Sequence, residues 1–260
     1  MVRSTSSFWS SVGMLCMLAA IMPTAAPAMT PAWTEITASA EARYTSAGGE
    51  VMPAATSNVA IVRINYPSGL SIGEAKNLPD GQFVQLAGNV VIAGTDEMGW
   101  VFYIESPERS AGIRVGTDGI ACEGDMAVVS GTLATVNGER QINALDIAIL
   151  SSGNPLPHAL GISPVSYGVG LDITGLLMKL LGRITAAPPG AGYFYVDDGS
   201  AFNDGSGYTG IRVHGTPPPN PVGKYVLVTG IPGAELLGDS PIRVMRTRRA
   251  EDVSVIGGVP

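Results

Sequence analysis

Apolar and polar side chains alternate with a period of two through five short segments, 84–92, 100–105, 112–115, 126–133 and 140–150. That is the periodicity of a strand that buries one face. Gly, Pro, Asn or Asp separates the segments, and none repeats its apolar residues at helical spacing over several turns. A short helix is predicted just upstream, where Ser71-Ile72-Gly73-Glu74 has the S-x-x-E form of a capping box and Pro79-Asp80-Gly81 must stop what it starts. Alternation places Phe102, Ile104, Ile113 and Val115 inside and leaves Tyr103 and Arg114 on the other face.

The same pattern is written twice. Phe102-Tyr103-Ile104-Glu105 matches Phe194-Tyr195-Val196-Asp197, and Gly112-Ile113-Arg114-Val115 is identical to Gly210-Ile211-Arg212-Val213. Gly88 matches Gly182 upstream, and Gly124 and Gly131 match Gly223 and Gly230 downstream, so five landmarks keep their order while the shift drifts from 94 to 92 to 99. Such drift is what a duplicated domain with unequal loops produces. The copies fall at 71–152 and 171–257, joined by a Pro/Gly-rich linker, 153–170. In the second copy Phe194, Val196, Ile211 and Val213 belong inside, with Tyr195, Arg212 and His214 outside. Gly88 and Gly182 sit mid-strand and predict a bulge or sharp bend in each first strand. The fold class expected is all-β, two small five-stranded Greek-key barrels in tandem. Residues 29–70 read as a tether, with one edge strand in the alternation Val59 to Ile64.

The first 28 residues have the organisation of a signal peptide: Arg3 is the positive start, Val12 to Met22 the apolar stretch, and Ala26-Pro27-Ala28 the small-x-small cleavage site. The apolar stretch is short for a membrane span and Pro23 ends it. Cleavage after Ala28 predicts an exported chain with Cys122 as its one cysteine, hence no internal disulfide and no span. Cys122 reads as a buried structural thiol.

The order of these motifs resembles the OB-fold of the nucleic-acid-binding superfamily. Tyr195-Val196-Asp197-Asp198-Gly199-Ser200 is similar to the D-D-G-[ST] turn between strands two and three of replication-protein-A-like and anticodon-binding domains. The whole of 71–257 resembles exported tandem-OB proteins of environmental bacteria, a group with no assigned biochemical role. This barrel serves oligonucleotides, oligosaccharides and proteins alike, so the resemblance specifies fold far better than ligand.

Two sets of candidate binding residues follow. Tyr103 with Arg114, and Tyr195 with Arg212 and His214, offer a ring for a base and a cation for its phosphate on strands two and three, the requirement of a single-stranded nucleic-acid platform. The bland alternative is that Tyr and Arg simply cover the barrel, held by a cation-π contact. Arg243, Arg246, Arg248 and Arg249 form the second set, either flanking the same groove or protecting an edge strand with charge. Against a polyanion stands the balance of 15 Lys plus Arg to 22 Asp plus Glu, a net charge of -7, so binding to single-stranded DNA or RNA would be weak and salt-dependent. The competing class is a cell-envelope structural or interaction module with a glycan or protein partner.

No catalytic motif survives its context, and no cofactor or metal is expected. Gly205-Ser206-Gly207-Tyr208-Thr209-Gly210 satisfies G-x-G-x-x-G but lies in a hairpin loop with no helix to receive a pyrophosphate. The acidic loop 197–204 lacks the spacing of a calcium loop and reads as a hydrogen-bonded turn. His158 belongs to the linker, and neither a nucleophile elbow nor an H-E-x-x-H helix is present.

Overall fold

The computed structural model describes residues 69–163 and 172–257 throughout, with short stretches between 35 and 63. The expected leader 1–28 and the linker segment 164–170 lie outside the described residues. Two compact units divide the chain, Met1–Tyr66 and Pro67–Pro260. In the first, β1 (Glu35–Ala38), β2 (Glu41–Ala42), β3 (Ala55–Thr56) and β4 (Ala60–Arg63) pair as two antiparallel ribbons, β1 with β4 and β2 with β3. The strand expected near 59–64 therefore exists, but its partner is β1 of the same unit.

In the second unit the first copy comprises α1 (Ile72–Lys76), β5 (Phe83–Ala93), α2 (Thr95–Met98), β6 (Val101–Glu105), β7 (Gly112–Gly116), β8 (Met126–Val136) and β9 (Glu139–Ser151). Its strands close into a barrel in the order β5-β6-β7-β9-β8, antiparallel except between β7 and β9. The capping box at Ser71 is formed, with Ser71 Oγ accepting the Glu74 N–H and the Glu74 carboxylate accepting the Ser71 N–H. Helix α1 thereby sets Ile72 and Ala75 into a core that also contains Leu86, Phe102, Ile104, Ile113, Val115 and Val129. Gly88 is the expected bulge: its φ is +74° and the β5–β8 register shifts between Ala87 and Asn89, which lets one strand serve two neighbours.

A strand within the segment expected as linker, β10 (Leu160–Ile162), precedes the second copy, which repeats the topology with β11 (Met178–Ala186), β12 (Tyr193–Asp197), β13 (Ile211–His214), β14 (Tyr225–Leu237), β15 (Ser240–Arg246) and β16 (Val253–Gly257). The ring runs β11-β12-β13-β15-β14 and back to β11, with β13 and β15 parallel, while β10 adds to β11 and β16 continues along β14 where β15 has ended. Phe194, Val196, Ile211 and Val213 fill it as alternation requires. The irregularity expected in β11 falls at Thr185, where its register with β12 shifts between Ile184 and Ala186, and not at Gly182. Gly182 stays in register with Val226, and a Cβ there would lie 2.6 Å from the Asp197 carbonyl oxygen, so close approach is what excludes a side chain.

The copies are packed into one unit. Ile92, Ala93 and Tyr103 of the first barrel form a cluster with Leu177 and Ile231 of the second. Gly112 and Gly175 touch backbone to backbone, since a Cβ on Gly112 would overlap the Gly175 carbonyl at 1.9 Å. From the end of α1, Lys76 Nζ donates to Thr174 O at 2.9 Å and to Gly112 O at 3.1 Å, and pairs with Asp172 at 2.6 Å. Glu105, wholly buried, accepts the Leu177 N–H on Oε2 at 2.7 Å, while its Oε1 has no partner among the described residues. Burial pushes this carboxyl up to about 7, against the pull of the Leu177 amide and the Arg109 guanidinium.

Because that value lies above the ordinary 4.5, the folded protein retains a proton that the unfolded chain releases. The stabilisation is complete below the ordinary value and is lost as pH rises through the folded one. The thermal midpoint of the wild type is therefore expected to fall more steeply than that of Glu105→Gln between roughly pH 5 and pH 8. Thermal unfolding followed by circular dichroism checks this, and equal slopes would contradict it.

Candidate functional site

Cross-strand register sets Tyr103, Arg114 and Gln141 in one row across β6, β7 and β9, on the side away from the core. The sequence leaves that face to solvent; in the structure the second barrel covers it. Tyr103 is wholly buried, and its hydroxyl donates to Glu139 Oε1 at 2.9 Å and accepts from Arg246 Nη1 at 3.1 Å. Arg246 completes the triad with Glu139 Oε2 at 2.9 Å and donates to Ala234 O at 2.8 Å. Burial raises the Tyr103 hydroxyl above its ordinary pKa, keeping the neutral donor. A ring with no exposed surface cannot stack a base, and a guanidinium committed to a buried carboxylate cannot neutralise a phosphate. In this arrangement Tyr103 and Arg246 join the barrels.

Arg248 has the same fate. It pairs with Glu123 at 2.8 Å and Asp252 at 2.8 Å and donates to Ile92 O at 3.2 Å, again reaching from one barrel to the other. Arg249 pairs with Glu97 and Glu123. Arg243 instead lies over the Phe202 ring, 5.1 Å from its centroid. Arg114 is half-buried, and its Nε has no partner among the described residues. Of the carboxylates that absorb the basic cluster, Glu97, Glu123 and Glu139 belong to the first copy and Asp252 to the second, and none was singled out by sequence. Their signal was indirect: an acidic chain with one basic cluster can neutralise it internally.

The equivalent face of the second barrel is built differently. Tyr195 and Arg212 share one row with Val244, and Tyr193, His214 and Arg246 share the next. Arg212 Nε donates to Tyr195 Oη at 2.9 Å while its guanidinium lies 4.5 Å from the Tyr193 ring centroid and 5.5 Å from that of Tyr195. Glu235, on β14, accepts from Arg212 through one oxygen and meets His214 Nε2 at 2.7 Å through the other. Burial would raise the Glu235 carboxyl, but His214 and Arg212 together hold it below its ordinary range. Burial would likewise lower the Arg212 pKa, and the bonds to Tyr195 and Glu235 raise it instead.

Tyr195 is itself covered, because Tyr208 stacks on it at 4.7 Å with the rings 28° apart. The aromatic surface offered to a ligand is therefore Tyr208, 39% exposed, beside half-buried Tyr193 and His214. Alternation could have indicated Tyr193, two residues before Tyr195. Tyr208 comes from an irregular loop and carries no such signal.

The acidic loop is a series of turns, with Asp197, Asp198, Asn203 and Asp204 each accepting a nearby backbone N–H. Among the described residues no group of three or more His, Cys, Asp or Glu could hold a metal ion. Cys122 is exposed, contrary to the buried thiol expected, because it lies in the turn before β8 with its N–H bonded to Asp125. Exposed His158 contributes only its carbonyl, to Arg109. No helix among the described residues is long and apolar enough to cross a membrane.

Arg246→Ala is expected to cost about 3 kcal/mol by stranding Glu139, with Glu139→Gln/Arg246→Met recovering part of the loss. Urea unfolding at neutral pH measures this, and a loss below roughly 1 kcal/mol would remove the triad as the joint. At Glu235 the sign reverses relative to Glu105: its stabilisation is present above the ordinary carboxylate value and is lost as pH falls through the lower folded one. Glu235→Gln should thus lower the thermal midpoint at about pH 7 and have little effect near pH 3. No family model matches the chain, and no curated protein matches it in sequence.

Proposed function

We propose that the chain is an exported, non-catalytic interaction module of two OB-fold barrels, in which the second barrel presents its strand-two and strand-three face to a polypeptide partner. The strand order, one-two-three-five-four in both rings with the third and fifth parallel, supports the OB assignment. The observation that carries the functional reading is what already occupies the duplicate face: the β14–β15 ribbon of the second barrel lies against the first, with Arg246 laid between Tyr103 and Glu139. Within one molecule, this type of face receives polypeptide. Tyr193, Tyr208 and His214 offer the amphipathic rings enriched where proteins meet. Single-stranded nucleic acid fits less well, because Arg246, Arg248 and Arg249 are spent on carboxylates and neither Tyr103 nor Tyr195 has an exposed ring.

The test places a photo-activated cross-linker at position 208 of the full chain, in the cells that export it, with position 145 as control. Leu145 is 75% exposed on the first barrel. A discrete protein adduct from 208 that is absent from 145, and is lost with His214→Ala, is the expected result. Identical adducts from both positions, no adduct, or saturable binding of an oligonucleotide of about 20 residues near physiological salt would overturn the proposal.

A further inference from the structure

Elsewhere on the second barrel, where β11, β14 and β16 run side by side, the surface is concave. Leu181, Arg183, Asp197, Asp198, Tyr225 and Ile256 line an open groove of about 690 Å³. That volume falls within the range of small-molecule sites. Three of its apolar side chains face solvent, Leu181 at 53%, Tyr225 at 46% and Ile256 at 56% exposure. Cross-strand register sets Arg183 directly opposite both Tyr225 and Asp197. Among the described residues the Arg183 side chain makes no hydrogen bond or ion pair, which separates it from the arginines committed to the barrel joint. Among the described residues Asp197 uses only Oδ1, for the Ala201 N–H, whereas both Asp198 oxygens are taken by Ser200 and Ser163.

The groove therefore presents a fork of donors, a free carboxylate oxygen and a flat aromatic ring within one patch. Each feature removes a class of ligand. A polyanion attracted to Arg183 would be repelled by the two carboxylates beside it. A purely apolar ligand would bury the guanidinium and the Asp197 oxygen without partners, at the full desolvation cost. What satisfies all of them is a neutral ring with an apolar C–H face and a rim of hydroxyls that both donate and accept. We propose that this groove is a carbohydrate site in which a sugar ring lies on Tyr225, against Leu181 and Ile256, while Arg183 and Asp197 hydrogen-bond its hydroxyls. The site is separate from the Tyr193/Tyr208 face, so it stands or falls independently of the partner proposed there.

Isothermal titration of the full chain with maltotriose, cellotriose, chitotriose and, as the charged counterpart, trigalacturonate tests this. Saturable binding of at least one neutral trisaccharide, tighter than that of trigalacturonate, is expected. Tyr225→Ala and Arg183→Ala should each weaken it by roughly tenfold or more, while Tyr225→Phe and Tyr208→Ala leave it unchanged. Thermal midpoints of the variants confirm that each is folded. Failure of all three neutral sugars to bind, preference for trigalacturonate, or binding indifferent to Tyr225→Ala would overturn the assignment.

Discussion

Glu139 is the residue on which the arrangement of the second unit turns. A carboxylate with only 2% of its side chain exposed is tolerable when donors saturate it, and here Tyr103 comes from its own barrel and Arg246 from the other. Rotating one barrel on the other would strand the Glu139 carboxylate and part the Arg246 guanidinium from it and from Tyr103. The same logic recurs where Lys76 meets Asp172 and Thr174, and where Arg248 meets Glu123 and the Ile92 carbonyl. Apolar packing brings the barrels together through Leu177 and Ile231, but such contact is not directional. The polar joints fix the angle, because each is satisfied at one geometry.

The two copies carry similar faces, and a single relocated charge distinguishes them. Counting from the matched rows Arg114–Gln141 and Arg212–Val244, the cross-strand pair Glu139–Val136 of the first copy corresponds to Ile242–Glu235 of the second. One glutamate sits in that pair in each copy, but on the fifth strand in the first and on the fourth in the second. From the fifth strand it reaches Tyr103 and the incoming Arg246. From the fourth it reaches Arg212 and His214 of its own barrel, so that face is neutralised from within and needs no second barrel to complete it.

This exchange also explains what could be read from sequence. Period-two alternation sorted Phe102, Ile104, Ile113 and Val115, and their four counterparts, into the two cores, because burial inside a closed barrel depends only on which way a strand residue points. The capping box and the Gly88 bulge were equally local and equally legible. Tyr103 and Arg246 did point away from the core, as alternation requires. Away from one core, however, is not toward solvent when a second barrel lies there. Which outward face is covered depends on contacts such as Arg246 with Glu139, 107 residues apart, and no local pattern encodes them. Tyr208 was hidden for the opposite reason, since an irregular loop has no period to read.

The joint also bears on what the second barrel can bind. Tyr208 rests on Tyr195, which Arg212 holds through its hydroxyl, and Arg212 is held in turn by Glu235. Three side chains that would otherwise lose rotamer freedom on meeting a partner have already lost it on folding, at about 0.5 to 1.5 kcal/mol each. A loop tyrosine standing alone would have to be ordered at the moment of binding. With the barrels locked, the Tyr193/Tyr208 face does not shift relative to the rest of the unit either, so the entropy of orienting it is met once, during folding. Preorganisation of this kind favours a partner matched in shape over one recruited by charge, and it suits a face whose charged groups already answer one another.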